Sequence, residues 1–163
     1  MARRLYVAYN GASPTTAAQV AVTTGTAIKT LLQIATPSTT GLTVVEWGIS
    51  FDGSAAATPI KCELLQTDVA ATVTSLTPTK WGDPNVTASL CVGGTSATGY
   101  TSTAEGTITA VREFDVQFLP PTGWYSNKYP LGREPIVPES KFLRVRVTAG
   151  AAVNAYCYVV WEE

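Results

Sequence analysis

Thr43-Val44-Val45-Glu46-Trp47-Gly48-Ile49-Ser50-Phe51-Asp52 is the stretch on which the fold class turns. Its alternate residues separate by character. Val45, Trp47, Ile49 and Phe51 fall on one side, and Glu46, Gly48, Ser50 and Asp52 on the other. Side chains of an extended chain point to opposite faces in turn, so this is the pattern of an antiparallel strand with one buried and one wet face. Asp52-Gly53-Ser54 then supplies residue types that tolerate the tight backbone of a turn. Working outward, the same two-residue period returns in Ile60, Cys62 and Leu64 against Lys61 and Glu63. It appears again in Phe114-Asp115-Val116-Gln117-Phe118, which stops at Pro120-Pro121-Thr122-Gly123, in Leu143-Arg144-Val145-Arg146-Val147, and in Ala155–Trp161. Weaker versions are Leu5-Val7-Tyr9, Ala21-Thr23, Ile28-Thr30-Leu32-Ile34, and Thr107–Val111 at the end of a Gly/Thr/Ser-rich stretch. A 3.6-residue period is nearly absent. Ala70–Leu76 and Pro84–Leu90 are the two places for a short helix, and their threonine and valine disfavour it.

Many short strands separated by turn signals predict an all-β chain with little or no helix: a jelly-roll-like β-sandwich of about eight antiparallel strands. An immunoglobulin-like sandwich is the second choice. It calls for a Cys…Trp…Cys core pattern, and the span Cys62, Trp81, Cys91 is too short for that. A chain of 163 residues suits one domain. Residues 1–25 are read as an N-terminal strand or arm and 26–163 as the sandwich; within the former, Gly11–Gly25 is either a flexible arm or a strand with long flanks.

Composition narrows function. There are 11 Lys plus Arg and 12 Asp plus Glu, a net charge of −1, so the basic excess of a nucleic-acid binder is missing. With no histidine, Ser-His-Asp and Cys-His nucleophile systems, histidine bases and histidine-containing metal sites are excluded. Hydrophobic residues make up 45% of the chain, yet no run approaches the roughly 18 apolar residues of a membrane helix. Charged residues are 14%, against about 25% in an average soluble domain, while 25 residues are threonine, half polar and suited to a pleated surface. A chain so poor in charge lacks the usual means of staying apart from its neighbours. It reads as a subunit that lives in an assembly.

Individual motifs offer little chemistry. Arg3-Arg4 followed by Leu5–Tyr9 is too short an apolar region for a secretory signal and reads as a strand. Cys62, Cys91 and Cys157 are odd in number and lack metal spacing; inert buried thiols are expected, with a Cys62–Cys157 disulfide open only if their strands are adjacent. Glu46 and Asp52 share a strand face six residues apart, and Glu113 and Asp115 are expected on one solvent-facing edge; neither looks like a glycosidase pair across a cleft. Asn85-Val86-Thr87 matches a glycosylation acceptor by chance, and Gly93-Gly94-Thr95-Ser96 lacks the helix and Lys of a phosphate loop. No catalytic residue, cofactor or metal ligand is assigned.

The segment from Pro120 to Pro138 is the most unusual, with five of the ten prolines beside Trp124, Tyr125 and Tyr129. Prolines lower the entropy lost when a loop docks, and Trp, Tyr and Arg are enriched at hot spots. Three readings stand: a protein-contact loop using Trp124, Tyr125, Tyr129 and Pro130; an aromatic platform for sugars; or a crossover that folds its aromatics over one end of the core.

With these residues in view, the chain resembles the small virion structural proteins of tailed phages, in particular decoration and minor head proteins of actinobacterial phages. Val45–Gly53, Ile60–Leu65, Gly132-Arg133-Glu134, Leu143–Thr148 and Val159–Glu163 carry the likeness, which spans about residues 26–163. It implies a non-enzymatic protein, made in the host cytoplasm, that binds the outer surface of the assembled phage head. It would contact the major capsid protein, often as a homotrimer, and touch neither nucleic acid nor membrane. The alternative is a carbohydrate- or receptor-binding module of a virion fibre or tail, stacking Trp124, Tyr125 and Tyr129 on sugar rings. A carboxylate-based hydrolase is third.

Overall fold

A computed structural model describes residues 4–53 and 58–163. Ser54 of the expected turn, the Ala55–Ala57 run and Arg3 lie outside the described residues. Among the described residues thirteen strands occur in chain order: β1 (Leu5–Tyr9), β2 (Val22–Thr23), β3 (Ile28–Ala35), β4 (Leu42–Phe51), β5 (Ile60–Thr67), β6 (Thr72–Ser75), β7 (Thr79–Lys80), β8 (Gly99–Ala104), β9 (Val111–Leu119), β10 (Trp124–Lys128), β11 (Ile136–Val137), β12 (Phe142–Thr148) and β13 (Asn154–Glu162). β2 falls on the weak Ala21-Thr23 pattern; the excess over eight comes mainly from β6, β7, β8, β10 and β11, short strands in stretches that show no clear two-residue hydrophobic period. Both places considered for a helix are otherwise: β6 occupies Thr72–Ser75, and 84–90 is turn and loop.

The strands form a β-sandwich of two antiparallel sheets. The first has the order β10-β4-β13-β1-β7, with β11 also on β4 and β2 on β13; the second has the order β6-β8-β3-β12-β5-β9. Between them lies one apolar core that includes Trp47, Ile49, Phe51, Leu64, Val145 and Trp161. Cys62 and Cys157 sit in different sheets, both in this core, and with Cys91 all three thiols are free and buried.

Two bulges shift the expected phase. Opposite Val160/Trp161 the register of β4 slips, so Val44 enters the core in place of Val45, while Trp47, Ile49 and Phe51 keep their predicted side. In β3 the slip opposite Val145/Arg146 inserts Leu31 beside Leu32, and Ile28 ends exposed. An added residue on one strand of a pair flips the faces beyond it, which alternation alone does not reveal.

The outer face of the second sheet departs furthest from expectation. Arg144, predicted on a wet face, is completely buried, as are Gln33, Glu63 and Leu65. The cause is topological. The connection from β5 to β6 has to cross β12 and β3, and the return from β8 to β9 crosses the same strands. Residues 105–110, expected to include a strand at Thr107–Val111, form part of this return, and β9 begins only at Val111. Arg144 Nη2 donates to Val69 O in the first crossing, and Nη1 donates to Glu105 Oε2 and Glu105 O in the second, both at 3.1 Å. Gln33 brackets Ala71, accepting from its N–H at 2.8 Å and donating to its carbonyl at 3.4 Å. Gly106, at φ +73°, lets the crossings touch; a Cβ there would lie 2.7 Å from Ala70 O.

Candidate functional site

The aromatic segment does not act as one unit. In β10, Trp124 pairs with Ser50, Tyr125 with Ile49, Ser126 with Gly48 and Asn127 with Trp47. Ile49 and Trp47 face the core, so Tyr125 and Asn127 turn inward, whereas Trp124 and Ser126 face outward. Tyr129 also packs against the core, and its hydroxyl is buried without a hydrogen-bond partner. Of the four residues predicted for contact, Trp124 and Pro130 stand exposed and Tyr125 and Tyr129 are partly buried.

The inward set converges on Asp115. Trp47 Nε1 donates to its Oδ2 at 3.1 Å, the Tyr125 hydroxyl at 2.9 Å and Asn127 Nδ2 at 3.3 Å, while Gln117 Nε2 donates to Oδ1 at 2.7 Å. The indole of Trp47 and the ring of Tyr125 are tilted at 59° with centroids 5.5 Å apart. This corrects the reading of β9. Register pairs Lys61 with Phe118, Glu63 with Val116, Cys62 with Gln117 and Leu64 with Asp115. Because Cys62 and Leu64 are core residues, Asp115 and Gln117 face between the sheets and Phe118 faces out. Asp115 is therefore not on a solvent-facing edge with Glu113. Burial, then the bond to Asp115, pushes the Tyr125 phenol up to about 12; burial and the same carboxylate raise Tyr129 to about 12. Four donors on one carboxylate make a structural hub that ties the β9 edge of one sheet to the β10 edge of the other.

The outward set forms a groove. On the outer face of the first sheet, Trp124, Ser50 and Tyr156 lie in one cross-strand row, and Ser126, Gly48, Tyr158 and Tyr9 in the next. The large side chains stand at the sides and the small ones in the middle, leaving a depression of about 400 Å³. Tyr158 lies over Gly48, where a Cβ would come within 2.5 Å of ring atom Cε1. Its hydroxyl donates to Glu46, which also faces Lys128 at 3.7 Å; burial and this carboxylate raise the phenol well above its ordinary value. Tyr9 tilts against Tyr158 with centroids 6.0 Å apart. Tyr156 donates from its hydroxyl to Gln19 O at 3.0 Å, which draws the 11–21 segment along the groove's far wall. Tyr9, Tyr156 and Tyr158 were not singled out by sequence, since each looks like one member of an ordinary alternating strand. Only the register of β1, β4, β10 and β13 brings them beside Trp124.

Among the described residues no group of three or more Asp, Glu or Cys side chains is placed to hold a metal ion. Glu46 and Asp52 are engaged separately, Asp52 accepting from Asn154 Nδ2 at 3.4 Å. Among the described residues no helix is long and apolar enough to cross a membrane. Comparison with known proteins finds no matching family model, no matching curated protein and no matching solved structure.

Proposed function

We propose that this chain is a non-enzymatic virion structural protein, a decoration subunit that binds the outer surface of an assembled phage head and stabilises it. In this reading it assembles as a homotrimer and contacts the major capsid protein. The observation that carries the reading is a flank of exposed apolar side chains on a chain with 14% charged residues. β9 and β10 are the end strands of their sheets on the side joined by Asp115, and β11 also lies there, since Arg112 Nη1 donates to Ile136 O at 3.3 Å. Phe118 is 69% exposed and Leu131 83%, with Val111 and Ile136 also exposed. Large apolar groups left in water beside two open strand edges are costly for a solitary protein and favourable for one that is covered by neighbours.

The mechanism follows from those groups. Each edge strand offers unpaired backbone N–H and C=O groups, and the apolar side chains around them exclude water once a neighbour closes over the flank. Apolar contact of standard size, about 1,600 Å² per interface, would knit adjacent shell subunits together without any chemical step. Sedimentation tests the proposal. The purified protein is expected to run at about three times the 17.2 kDa monomer mass and to pellet with assembled heads. The Phe118→Asp and Leu131→Asp variants are expected to remain folded and lose pelleting. A dilute, stable monomer that stays in the supernatant with heads present refutes it.

A further inference from the structure

A second exposed feature, on the outer face of the first sheet, shares the edge strand β10 with the flank but uses side chains other than Phe118, Leu131, Val111 and Ile136. We infer that the groove between Trp124 and Tyr156 binds one pyranose ring of a neutral glycan. β10 and β13 flank β4 on either side, so side chains rising from them stand about 10 Å apart, twice the inter-strand spacing. Between them is only Ser50; in the adjoining row Ser126 is small, and the Tyr158 ring lies over Gly48 and closes that end of the slot. A ring held in van der Waals contact with an aromatic side chain on each face needs about 7–8 Å between those side chains, two contacts of about 3.5–4.0 Å. The slot has the width for one saturated ring. Trp124, 74% exposed, contributes the largest uncovered aromatic surface in the chain.

Three further features select the ligand class. The residues along the depression include no charged side chain, so neither an acidic nor a basic ligand gains a counter-ion. Ring C–H groups carry partial positive charge and are attracted to the negative faces of Trp and Tyr, while hydroxyls at the ring edge meet Ser50, Ser126 and Gln19. Gln19 closes the far wall, where its carbonyl accepts from the Tyr156 hydroxyl at 3.0 Å and fixes that ring. A peptide fits less well. The floor strand β4 is hydrogen-bonded to β10 on one side and β13 on the other, so no backbone edge is open there for an added strand. Stacking uses side-chain faces alone and needs no such edge.

The test is an array of neutral, uronate-containing and sialylated glycans, followed by calorimetric titration of the intact protein with soluble neutral hexose and N-acetylhexosamine oligomers. Binding is expected for at least one neutral glycan and not to be improved by acidic groups. Trp124→Ala is expected to weaken it about tenfold or more, and Ser50→Tyr, which adds an aromatic ring to the slot instead of removing one, to abolish it. Both positions are on the surface layer, so unchanged melting temperatures serve as the folding control. No glycan binding at millimolar concentration, full binding by Trp124→Ala, preference for acidic glycans, or capture of proline-rich peptides on a parallel array overturns the inference. Pelleting of Trp124→Ala with phage heads is read separately, so failure of the glycan site is distinguishable from failure of the assembly reading.

Discussion

Replacing Arg144 with methionine keeps most of the side-chain volume and removes the charge that holds both crossings onto the second sheet. Arg144 is fully buried, its partner Glu105 has a side chain 23% exposed, and the two meet at 3.1 Å. Glu105 also accepts from Thr30 N at 2.7 Å and Thr30 Oγ1 at 2.6 Å, so after the substitution its carboxylate keeps neutral donors but no cation. The carbonyls of Val69 and Glu105 each lose the guanidinium as donor, Val69 O keeping the bond from Thr67 Oγ1 at 2.9 Å. Breaking a buried pair from one side costs about 3–5 kcal/mol, and the partial wetting of Glu105 places this case near about 3. In a domain of this size each kcal/mol moves the melting temperature by about 2–4 °C, giving a fall of about 6–12 °C. Glu105→Gln alone leaves the arginine buried without a counter-ion and is expected to cost a similar amount. The double variant Arg144→Met/Glu105→Gln buries no unpaired charge and should recover at least about 1 kcal/mol relative to the sum of the singles. Thermal and guanidinium unfolding of all four proteins measures the cycle. A loss below 1 kcal/mol in Arg144→Met, or strict additivity in the double variant, refutes the clamp.

Three other expectations rest on the same kind of bookkeeping. Burial raises the Glu63 carboxyl, but hydrogen bonds and charge from Arg146 at 2.9 Å and Lys61 at 2.7 Å win and hold it below its ordinary 4.5. A depressed folded pKa contributes stability above the unfolded value and loses it as pH falls through the folded one. The wild type should therefore lose stability below about pH 4.5, with a shallower acid limb in Glu63→Gln. The thiols should be inert: burial pushes Cys62 up to about 12 and holds Cys91 and Cys157 well above their ordinary value. Iodoacetamide at pH 8 should label none of the three in the native protein and all three in guanidinium; native labelling at the rate of a free thiol contradicts the packing. Asp115→Ala strands four donors and should cost about 2–3 kcal/mol, with loss of the near-ultraviolet dichroism of Trp47; an unchanged spectrum would mean the hub does not order β10.

Much of the fold is legible from alternation. Trp47, Ile49 and Phe51 on one face of β4, Cys62 and Leu64 in β5, and Val145 and Val147 in β12 enter the core as the pattern requires. β9 misled in part: Phe114 packs against the core, but the register slips opposite Leu64/Leu65, so beyond it Asp115 and Gln117 face inward and Phe118 outward. As the end strand of its sheet it has a partner on one side only, so either face of the alternation has space, and the hydrogen-bonding demand of Trp47 and Tyr125 draws Asp115 inward. The site was half visible. Trp124 was marked by its proline-rich setting, but Tyr125 and Tyr129 beside it turn inward.

By itself the sequence determined that this is an all-β chain, because a two-residue hydrophobic period buries one side of an extended backbone and nothing else. It also determined that histidine-based chemistry is absent and that the surface is poor in charge. Tertiary structure alone decided which faces are wet. Arg144 is buried because crossing segments cover it, Glu63 is held between Lys61 and Arg146, and Tyr9, Tyr156 and Tyr158 become groove walls because strands far apart in sequence meet in register. Alternation is a local property of neighbouring residues, whereas coverage depends on which distant segment lies overhead, and no local pattern encodes that.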